Sequence, residues 1–311
     1  MIGKNVLVSK RETGEFVIYQ DNREPAEKKQ KAFLIYGLLG TISLNAGIYF
    51  AVVTGAEPVC ELRGNTVWKT KSFMLQRNAP SVDGISIREA EDDLKYVSLL
   101  ENYLNTKHFY FSYQYDLSNP IAKQPTLIKI ETCNSKFVFN QQFLSNFAKV
   151  AKKSVIDEKQ DLTNFNSFCL PIIQGFVQVK ELNINENSLK IALLSRRSVQ
   201  RSGTRYHCRG GDDQGNVANF VETEQILISD EKIFSFLMIR GSIPLSWSQQ
   251  INMKYKPRLF VNSDPVVNLE ILRNHVNQLT SAYGKPILFV NLVNKSGYER
   301  PLGEEMTRTI E

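Results

Sequence analysis

The order of apolar and polar residues along the chain predicts a fold that mixes strands with helices. Short apolar runs rich in β-branched and aromatic residues predict strands at residues 6–9, 16–19, 66–74, 109–115, 172–179, 188–194 and 217–229. Apolar positions recur at steps of three and four in residues 88–105 and, less regularly, in residues 135–153, which predicts two amphipathic helices. Residues 157–166 are predicted to be a polar connection and residues 183–187 a turn. The fold class that follows is α+β, with a mostly antiparallel N-terminal sheet.

One uncharged stretch, residues 32–56, has two interpretations. It is long and apolar enough to cross a bilayer as a helix. However, Thr41-Ile42-Ser43-Leu44-Asn45 alternates polar with apolar residues, as a half-buried strand does. Asn45-Ala46-Gly47 then supplies a turn before a run of β-branched and aromatic residues. The pattern favours a buried β-hairpin over a membrane helix.

Composition restricts the class of protein more than its function. A chain of 311 residues with 42% hydrophobic and 23% charged residues is globular rather than disordered. Its formal net charge of +6 suits anionic partners but is too small to indicate nucleic acid. The four cysteines lie far apart without a Cys-x-x-Cys pair, which argues against a zinc ribbon and favours a reducing, cytosolic setting. The N-terminus becomes charged before an apolar segment develops, so no secretory signal is predicted.

Positive charge is concentrated in residues 196–209, which contain five arginines and no acidic residue. A guanidinium presents a planar fork of donors that matches phosphate oxygens, so this segment is a candidate phosphate site. A solvated face, or ion pairs with nearby acids, explains the same spacing equally well. Glycines within and after the segment argue against one continuous helix. The residues that are candidates to extend the basic set are Arg240, Lys254, Lys256 and Arg258.

The arginine-rich segment is part of a longer stretch, residues 196–225, that closely resembles the signature of Sac-domain phosphoinositide phosphatases. Further motifs of that family follow in matching order: Phe109-Tyr-Phe-Ser-Tyr-Gln-Tyr-Asp-Leu-Ser-Asn119, Arg240-Gly-Ser-Ile-Pro-Leu-Ser-Trp247, Lys254-Tyr-Lys-Pro257 and Val290-Asn-Leu-Val-Asn294. Phe139 and Ser246 depart from the residues that are usual in the family, and these departures concern local packing. The resemblance covers nearly the whole chain.

The resemblance implies a fold, an activity and a location. It implies a Sac N-terminal subdomain over residues 1–187, and the first part of a mixed α/β phosphatase domain over residues 188–311. It also strengthens the hairpin interpretation of residues 32–56. Arg205-Tyr206 and residues 255–257 are most similar to the endoplasmic-reticulum and Golgi type, which removes the phosphate of phosphatidylinositol 4-phosphate. We therefore expect hydrolysis of phosphatidylinositol monophosphates at the cytoplasmic face of those membranes, without a cofactor or a metal ion.

The nucleophile that the family uses is missing from these residues. In the family, a cysteine thiolate in a Cys-x5-Arg loop attacks the phosphate, while the arginine and backbone amides hold it. None of Cys60, Cys133, Cys169 and Cys208 has an arginine six residues later. The resemblance thus implies that this loop and a C-terminal membrane anchor lie beyond Glu311. We expect no catalytic residue in this chain, an ordinary thiol at Cys208, and an inactive protein if the chain is tested alone.

The basic residues are expected to shape a positive groove for an inositol phosphate head group at an anionic membrane surface. The groove candidates are Arg197, Arg201, Arg205, Arg209, Arg240, Lys254 and Lys256, and the expected structural partners are Asp212, Asn219, Glu222 and Glu224. Alternation along a strand would place Glu222 and Glu224 on one face, paired with Arg205 or Arg209. Asp212 is expected to belong to a turn.

A second hypothesis treats the chain as a non-catalytic module that binds anionic lipid or another protein. A nucleic-acid binder is the weakest hypothesis, because the sequence contains no motif of that class. The sequence gives no indication of the oligomeric state.

Overall fold

The computed structural model describes residues 5–9, 16–20, 35–77, 86–126, 128–154, 168–184, 187–204, 206–229, 232–252 and 257–311. Strands and helices are both prominent, which confirms the α+β class. The strands are β1 (Asn5–Ser9), β2 (Phe16–Gln20), β3 (Gly37–Leu44), β4 (Gly47–Leu62), β5 (Asn65–Arg77), β6 (Phe109–Phe111), β7 (Ile173–Ile184), β8 (Asn187–Arg197), β9 (Val221–Ser229), β10 (Lys232–Arg240), β11 (Trp247–Gln249) and β12 (Leu259–Val261). The helices are α1 (Ile87–Thr106), α2 (Gln141–Ser154), α3 (Pro265–Tyr283) and α4 (Arg300–Ile310), with short 3-10 helices at Ile121–Lys123 and Gly297–Glu299.

An eight-stranded sheet is the largest element, and each of its strands lies beside the next one in sequence, from β3 to β10. The pairs from β3–β4 to β7–β8 are antiparallel. β1 and β2 form a separate antiparallel pair, and so do β11 and β12. The predicted antiparallel sheet is confirmed.

Residues 35–56, the described part of the uncharged stretch, form a hairpin, because β3 and β4 pair from Leu44↔Gly47 to Gly37↔Val53. A carboxylate from α1 fixes its turn. Asp93, which is 1% exposed, accepts hydrogen bonds from the backbone N–H of Asn45 at 3.0 Å and of Ala46 at 2.5 Å. The hairpin interpretation is confirmed. Within the part of the chain that the structure describes, no helix has the length and apolar character that a membrane crossing needs.

Packing divides the chain into two compact units, and unit 1 comprises residues 1–196 and 225–235. Its sheet is buried on both faces at β6. Phe109 and Phe111 enter one apolar cluster, whereas Tyr110 between them enters another. This division follows from the alternation of side chains along a strand. Each fully buried phenylalanine stabilises the fold by about 1.5–3 kcal/mol relative to an exposed one.

Unit 2 comprises residues 197–224 and 236–311. Its apolar cluster is smaller, with Leu245, Leu272, Leu302 and Met306 at the centre. Asn268, which is fully buried in α3, joins separate segments with its side-chain amide. It accepts a hydrogen bond from Ser246 N at 3.0 Å, and it donates to Asn262 O at 2.8 Å and to Glu305 Oε1 at 2.9 Å.

The chain passes from one unit to the other at residues 196/197, 224/225 and 235/236. The boundary predicted between residues 187 and 188 refers to the subdomains of the Sac family rather than to packing, and it stays a prediction. The predicted polar connection, residues 157–166, lies outside the described residues, as do residues 185 and 186 of the predicted turn.

Strand β6 is shorter than predicted, since it ends at Phe111 rather than at residue 115. It pairs with β5 only through Phe111↔Trp68 and Tyr110↔Lys69. Beyond that point the Ser112 hydroxyl donates to Thr66 O at 2.7 Å. The strand thus ends at Phe111 although the apolar alternation continues.

Helix α2 begins at Gln141, six residues later than the prediction. The preceding residues form tertiary hydrogen bonds instead. Phe139 N donates to Ile172 O at 2.8 Å, and Ile172 N donates to the side-chain oxygen of Asn140 at 3.0 Å. The Asn140 amide nitrogen donates, at 2.9 Å in each case, to the carbonyls of Leu39 and Leu170. These bonds hold residues 139 and 140 outside the helix.

Candidate functional site

The arginine-rich segment leads from β8 into a loop of unit 2, here called the arginine loop and defined as residues 198–220. No helix occurs in its described residues. The backbone is left-handed at Arg201, with φ 48°, and at Asn219, with φ 54°. Ala218 N donates to Gly210 O at 2.9 Å and closes the loop upon itself. For this reason β9 begins at Val221, and the prediction of a strand from residue 217 is wrong in its first part.

Arg197 and Asn219 together close the base of the arginine loop. The Arg197 Nη2 donates to Gly203 O at 2.8 Å and to the side-chain oxygen of Asn219 at 2.5 Å. The same Asn219 oxygen accepts a bond from Gly203 N at 3.4 Å. A short amide side chain suits the left-handed conformation of residue 219. Asn219 therefore accepts bonds from two parts of the loop base, and its role as a structural partner of a groove stays a prediction.

Arg201 holds the far side of the arginine loop. Its Nε donates to Gly210 O at 3.1 Å, and its Nη2 donates to Arg209 O at 2.7 Å. The Cys208 thiol in turn donates to Arg201 O at 3.1 Å. Bonds from a charged donor to a carbonyl are stronger than neutral ones. Arg201 consequently stabilises the loop that carries the other basic residues.

Arg209 lies near two aromatic rings. Its guanidinium carbon is 5.3 Å from the Trp247 ring centre and 5.7 Å from that of Tyr206, which are cation–π distances. Its Nε donates to Gln249 Oε1 at 2.7 Å. The amide nitrogen of Gln249 donates to the Tyr298 hydroxyl, also at 2.7 Å. Arg209 is thus held in one orientation by side chains from β11 and from the 3-10 helix that precedes α4.

The remaining basic candidates are placed differently. Arg240 is exposed at the end of β10. Ser242, two residues later, accepts a bond from Gly210 N at 2.9 Å with its hydroxyl, which brings this segment to the arginine loop. Arg205, Lys254 and Lys256 lie outside the described residues. The structure therefore gathers Arg197, Arg201, Arg209 and Asn219, and a groove for phosphate among them stays a prediction.

Asp212 belongs to a turn, as predicted. Its carboxylate accepts bonds from Asn216 N at 2.8 Å and from Asn216 Nδ2 at 3.2 Å. Gly215 N donates to Asp212 O at 2.9 Å, with Gly215 at φ 85°. A carboxylate that holds its own turn is a local structural device.

Glu222 and Glu224 both face inward from β9, with 1% and 0% exposure, so the prediction that they share a face is confirmed. The Glu222 carboxylate accepts a hydrogen bond from the Tyr283 hydroxyl of α3. Pairing of these two acids with Arg205 or Arg209 stays a prediction.

The cysteines of unit 1 are poorly suited to nucleophilic attack. Burial raises the pKa of the Cys133 and Cys169 thiols to about 12, and it also raises the pKa of Cys60. Only the thiolate is a strong nucleophile, so these thiols are unreactive near neutral pH. Cys208, in unit 2, contributes to the bonding within the arginine loop. Among the residues for which the structure gives positions, no three or more His, Cys, Asp or Glu side chains are grouped for a metal ion.

Arg196, the first arginine of the run, has a role that the spacing alone did not reveal. It is fully buried in unit 1. Its Nε donates to Leu117 O at 3.0 Å, and its Nη2 donates to Asn119 O at 3.3 Å. Two sequence motifs of the Sac resemblance, near residues 109–119 and 196–225, therefore meet here. Sequence analysis also did not identify the residues that hold Arg209. Trp247 could have been found as the last residue of a family motif, whereas no sequence pattern points to Gln249 or Tyr298.

Comparison with known proteins places this architecture in a family. A sequence model of the SacI homology domain matches residues 36–311. The chain belongs to the SacI homology domain family. This match confirms the Sac resemblance that the motifs indicate, and it includes unit 1 from residue 36 onward, all of unit 2 and the arginine loop.

Individual relatives agree with the family. The chain is 34% identical over 283 residues to the phosphatidylinositol-3-phosphatase SAC1-B of Danio rerio, covering 89% of this chain and 46% of that protein. It is 33% identical over 279 residues to the phosphatidylinositol-3-phosphatase SAC1 of Saccharomyces cerevisiae, covering 87% and 42%. It is 32% identical over 280 residues to the phosphoinositide phosphatase SAC8 of Arabidopsis thaliana, covering 89% and 46%. The chain spans just under half the length of these relatives.

Proposed function

We propose that the protein to which this chain belongs hydrolyses phosphatidylinositol monophosphates, with phosphatidylinositol 4-phosphate as the preferred substrate. The observation that carries the proposal is the family match over residues 36–311, together with relatives that are named phosphoinositide phosphatases. The fish and yeast relatives are named for the 3-phosphate. Preference for the 4-phosphate rests on the resemblance of Arg205-Tyr206 and residues 255–257 to the endoplasmic-reticulum and Golgi type.

The nucleophile of this reaction lies outside the 311 residues, in a Cys-x5-Arg loop further along the protein. Two observations support this location. None of the four cysteines has an arginine six residues later, and burial raises the pKa of three of their thiols. A thiol that stays protonated does not attack a phosphate monoester at a useful rate.

The contribution of this chain is the basic surface beside that loop. Arg197 and Arg201 stabilise the arginine loop, Arg209 is held against Trp247, and Arg240 is exposed at the end of β10. Fixed cations of this kind attract an anionic head group and orient its phosphate. The substrate is part of a bilayer, so we place the protein at an anionic membrane surface, at the cytoplasmic face of the endoplasmic reticulum and Golgi.

The test is release of phosphate from short-chain phosphatidylinositol 3-, 4- and 5-phosphate. The 311-residue chain by itself is expected to release phosphate at background. The protein with its native continuation is expected to turn over the 4-phosphate fastest, and serine in place of the cysteine of its Cys-x5-Arg loop abolishes turnover. If the protein with its continuation hydrolyses none of the three lipids, the proposal is contradicted. If the 311-residue chain alone hydrolyses a lipid and Cys208→Ser abolishes this activity, the nucleophile is Cys208 instead.

Arg240 provides a variant that leaves the arginine loop intact, because its side chain is exposed at the end of β10. In the protein with its continuation, Arg240→Gln is expected to raise KM about tenfold, as one charge-assisted contact to phosphate is lost. Arg273→Gln, at an exposed position of α3, is the matched control and leaves KM unchanged.

The alternative function, a non-catalytic module that binds anionic lipid, is favoured by the absence of any Cys-x5-Arg sequence within these residues. It predicts binding of the same lipids without turnover, both by the chain and by the protein with its continuation.

A further inference from the structure

The outward face of the β11–β12 hairpin in unit 2 has no role in the proposed hydrolysis. Trp247, Leu259 and Val261 pack against the apolar cluster of this unit. Because side chains alternate along a strand, residues 258 and 260 project from the opposite face. Phe260 is 42% exposed there, and Ile251, just past the end of β11, is 50% exposed. Ile251 lies past Gln249, the last paired residue of β11, so the name hairpin face is used here for the three exposed side chains Ile251, Arg258 and Phe260 of the hairpin and not for one side of its paired strands.

The base of this hairpin is held firmly by unit 2. The Trp247 indole N–H donates to Ile243 O at 3.1 Å. Gln249 bonds both Arg209 and Tyr298, and the Tyr298 hydroxyl donates to Pro257 O. The exposed apolar side chains therefore extend from an ordered base. Groups that are already positioned lose less conformational freedom when they bind.

The charge of the hairpin is of one sign. Residues 247–261 contain Lys254, Lys256 and Arg258 and no acidic residue. The Arg258 guanidinium carbon is 5.3 Å from the centre of the Phe260 ring, so a cation and an apolar ring project from the hairpin face together. The nearest acid in sequence after the hairpin, Asp264, accepts a hydrogen bond from Val266 N at the start of α3.

We propose that the hairpin face docks on an anionic lipid bilayer, with Phe260 and Ile251 entering the interface between head groups and acyl chains, and Arg258 contacting phosphate or carboxylate head groups. Apolar and aromatic side chains beside cations are the combination that binds such an interface. Each basic side chain near an anionic membrane contributes about 1 kcal/mol, which corresponds to about fivefold in affinity. The proposal rests on the proposed function only in that a lipid-hydrolysing protein must meet a membrane.

Sedimentation with vesicles tests the docking, with phosphatidylcholine vesicles compared with vesicles that also contain about one-third phosphatidylserine. The 311-residue chain is expected to sediment only with the anionic vesicles, and raised salt weakens the binding. Arg258→Gln lowers affinity about fivefold. The double variant Ile251→Ser with Phe260→Ser lowers it at least about tenfold, because apolar contact with the interface is lost.

Matched controls change an exposed apolar residue and an exposed arginine elsewhere in unit 2. Leu288→Ser, at a residue that is 87% exposed, and Arg273→Gln on α3 are expected to leave vesicle binding unchanged. The far-ultraviolet circular dichroism and melting temperature of each variant are compared with those of the unchanged chain. A loss of binding is attributed to the hairpin face only where the circular dichroism spectrum and the melting temperature of the variant match those of the unchanged chain.

Insertion itself is measured with Phe260→Trp and vesicles that contain brominated phosphatidylcholine. The bromine atoms quench a tryptophan that enters the acyl region, and the signal of the unchanged chain, which has two tryptophans, is subtracted. We expect quenching of the tryptophan at residue 260 and none in the control Leu288→Trp. A tryptophan at residue 260 that stays unquenched while the protein sediments overturns the proposal.

Two further outcomes also overturn it. One is equal binding of all variants to anionic vesicles, which assigns the contact to another surface. The other is a dimer in light scattering that dissociates in Phe260→Ser, which makes a second copy of the chain the occupant of the hairpin face. Phosphatidylserine carries no inositol phosphate, so failure of docking leaves the proposed hydrolysis standing, and failure of hydrolysis leaves the docking standing.

Discussion

The two compact units of this chain are stabilised by different kinds of contact. In unit 1, aromatic side chains such as Phe109 and Phe111 are fully buried on a face of a large sheet. In unit 2, the arginine loop is held by the guanidiniums of Arg197 and Arg201, which donate to backbone carbonyls. Burial is non-directional, whereas a hydrogen bond needs a defined distance and angle. Unit 1 should therefore respond to changes of volume, and the arginine loop to changes of donor geometry.

This difference also bears on the meaning of a basic segment. Five arginines in one run suggest a surface for anions, yet Arg196 is buried in unit 1, while Arg197 and Arg201 maintain the arginine loop. Arg209 instead donates to the Gln249 side chain, and Arg240 and Arg258 are exposed. Arginines that maintain the fold and exposed arginines thus occur in the same short segment and its extension.

Thiol labelling should give the largest effect and tests how well unit 1 excludes water. A pKa of about 12 in place of 9.0 means that Cys133 and Cys169 remain protonated at pH 8, with a thiolate fraction about a thousandfold lower. Alkylation of these two residues in the native chain, measured by mass spectrometry, is expected to be slower than in urea by at least that factor. The rate should rise tenfold per pH unit between pH 8 and pH 10. Equal rates in the native and unfolded chains would contradict the buried state of this unit.

Removal of a core ring should give the next largest effect. The Phe109 ring lies 4.6 Å from that of Phe139 and 5.8 Å from that of Phe73, between centres. Phe109→Ala is expected to lower the free energy of unfolding by about 3–5 kcal/mol, because it removes apolar burial and leaves a cavity. Urea denaturation followed by circular dichroism measures the change. Phe109→Leu, which keeps most of the volume, should cost much less, and a similar cost for both variants would show that volume is not the deciding property.

Asn219 tests the arginine loop in the same way. Asn219→Ala is expected to cost about 2–4 kcal/mol, because it removes the acceptor of the Arg197 guanidinium and places a Cβ without a polar group at positive φ. Asn219→Gly accepts the φ of 54° and should cost less than alanine. Thermal unfolding separates the two contributions. If alanine and glycine destabilise equally, backbone conformation has no part in the role of Asn219.

The N-terminus of α1 should give the smallest effect. Ser86 and Glu89 form a capping box, in which the Ser86 hydroxyl accepts from Glu89 N at 3.3 Å and Glu89 accepts from Ser86 N at 2.9 Å. Ser86→Ala should lower the free energy of unfolding by about 1 kcal/mol, and Ser86→Asp should retain most of it. Lys190→Ala, which breaks the exposed ion pair with Glu181, is the control and should have no measurable effect. A larger loss in the control than in Ser86→Ala would reverse this order.

Local patterns predicted the elements that depend on local forces. The helix expected over residues 88–105 is found as α1, Ile87–Thr106, because its apolar spacing and capping box act within a few residues. The hairpin of β3 and β4 followed from alternation and a turn signal. The pattern did not reveal that Asp93, one of several acidic residues on α1, is buried and binds the turn of that hairpin. In sequence, Asp93 is 48 positions from Asn45 and 47 positions from Ala46.

The predictions failed where distant residues compete for the same backbone. Alternation continues past Phe111, yet Ser112 bonds to β5 through its hydroxyl and the strand has ended. A helical period begins before Gln141, yet Asn140 bonds with its side chain to Ile172 instead. The same limit applies to the arginine loop, where spacing identified the charge but not its partners. The signal for Trp247 was its place in a family motif, and nothing local distinguished Gln249 or Tyr298.

The sequence by itself determined the α+β class, most of the long strands and helices, and membership of the Sac family, because periodicity and motifs are properties of neighbouring residues. Tertiary structure alone decided which arginines maintain a loop and which remain exposed, since each guanidinium is oriented by the acceptors that folding brings to it. Asn140 illustrates the point, as its amide bonds a carbonyl 101 residues away. No local pattern encodes a contact of that separation.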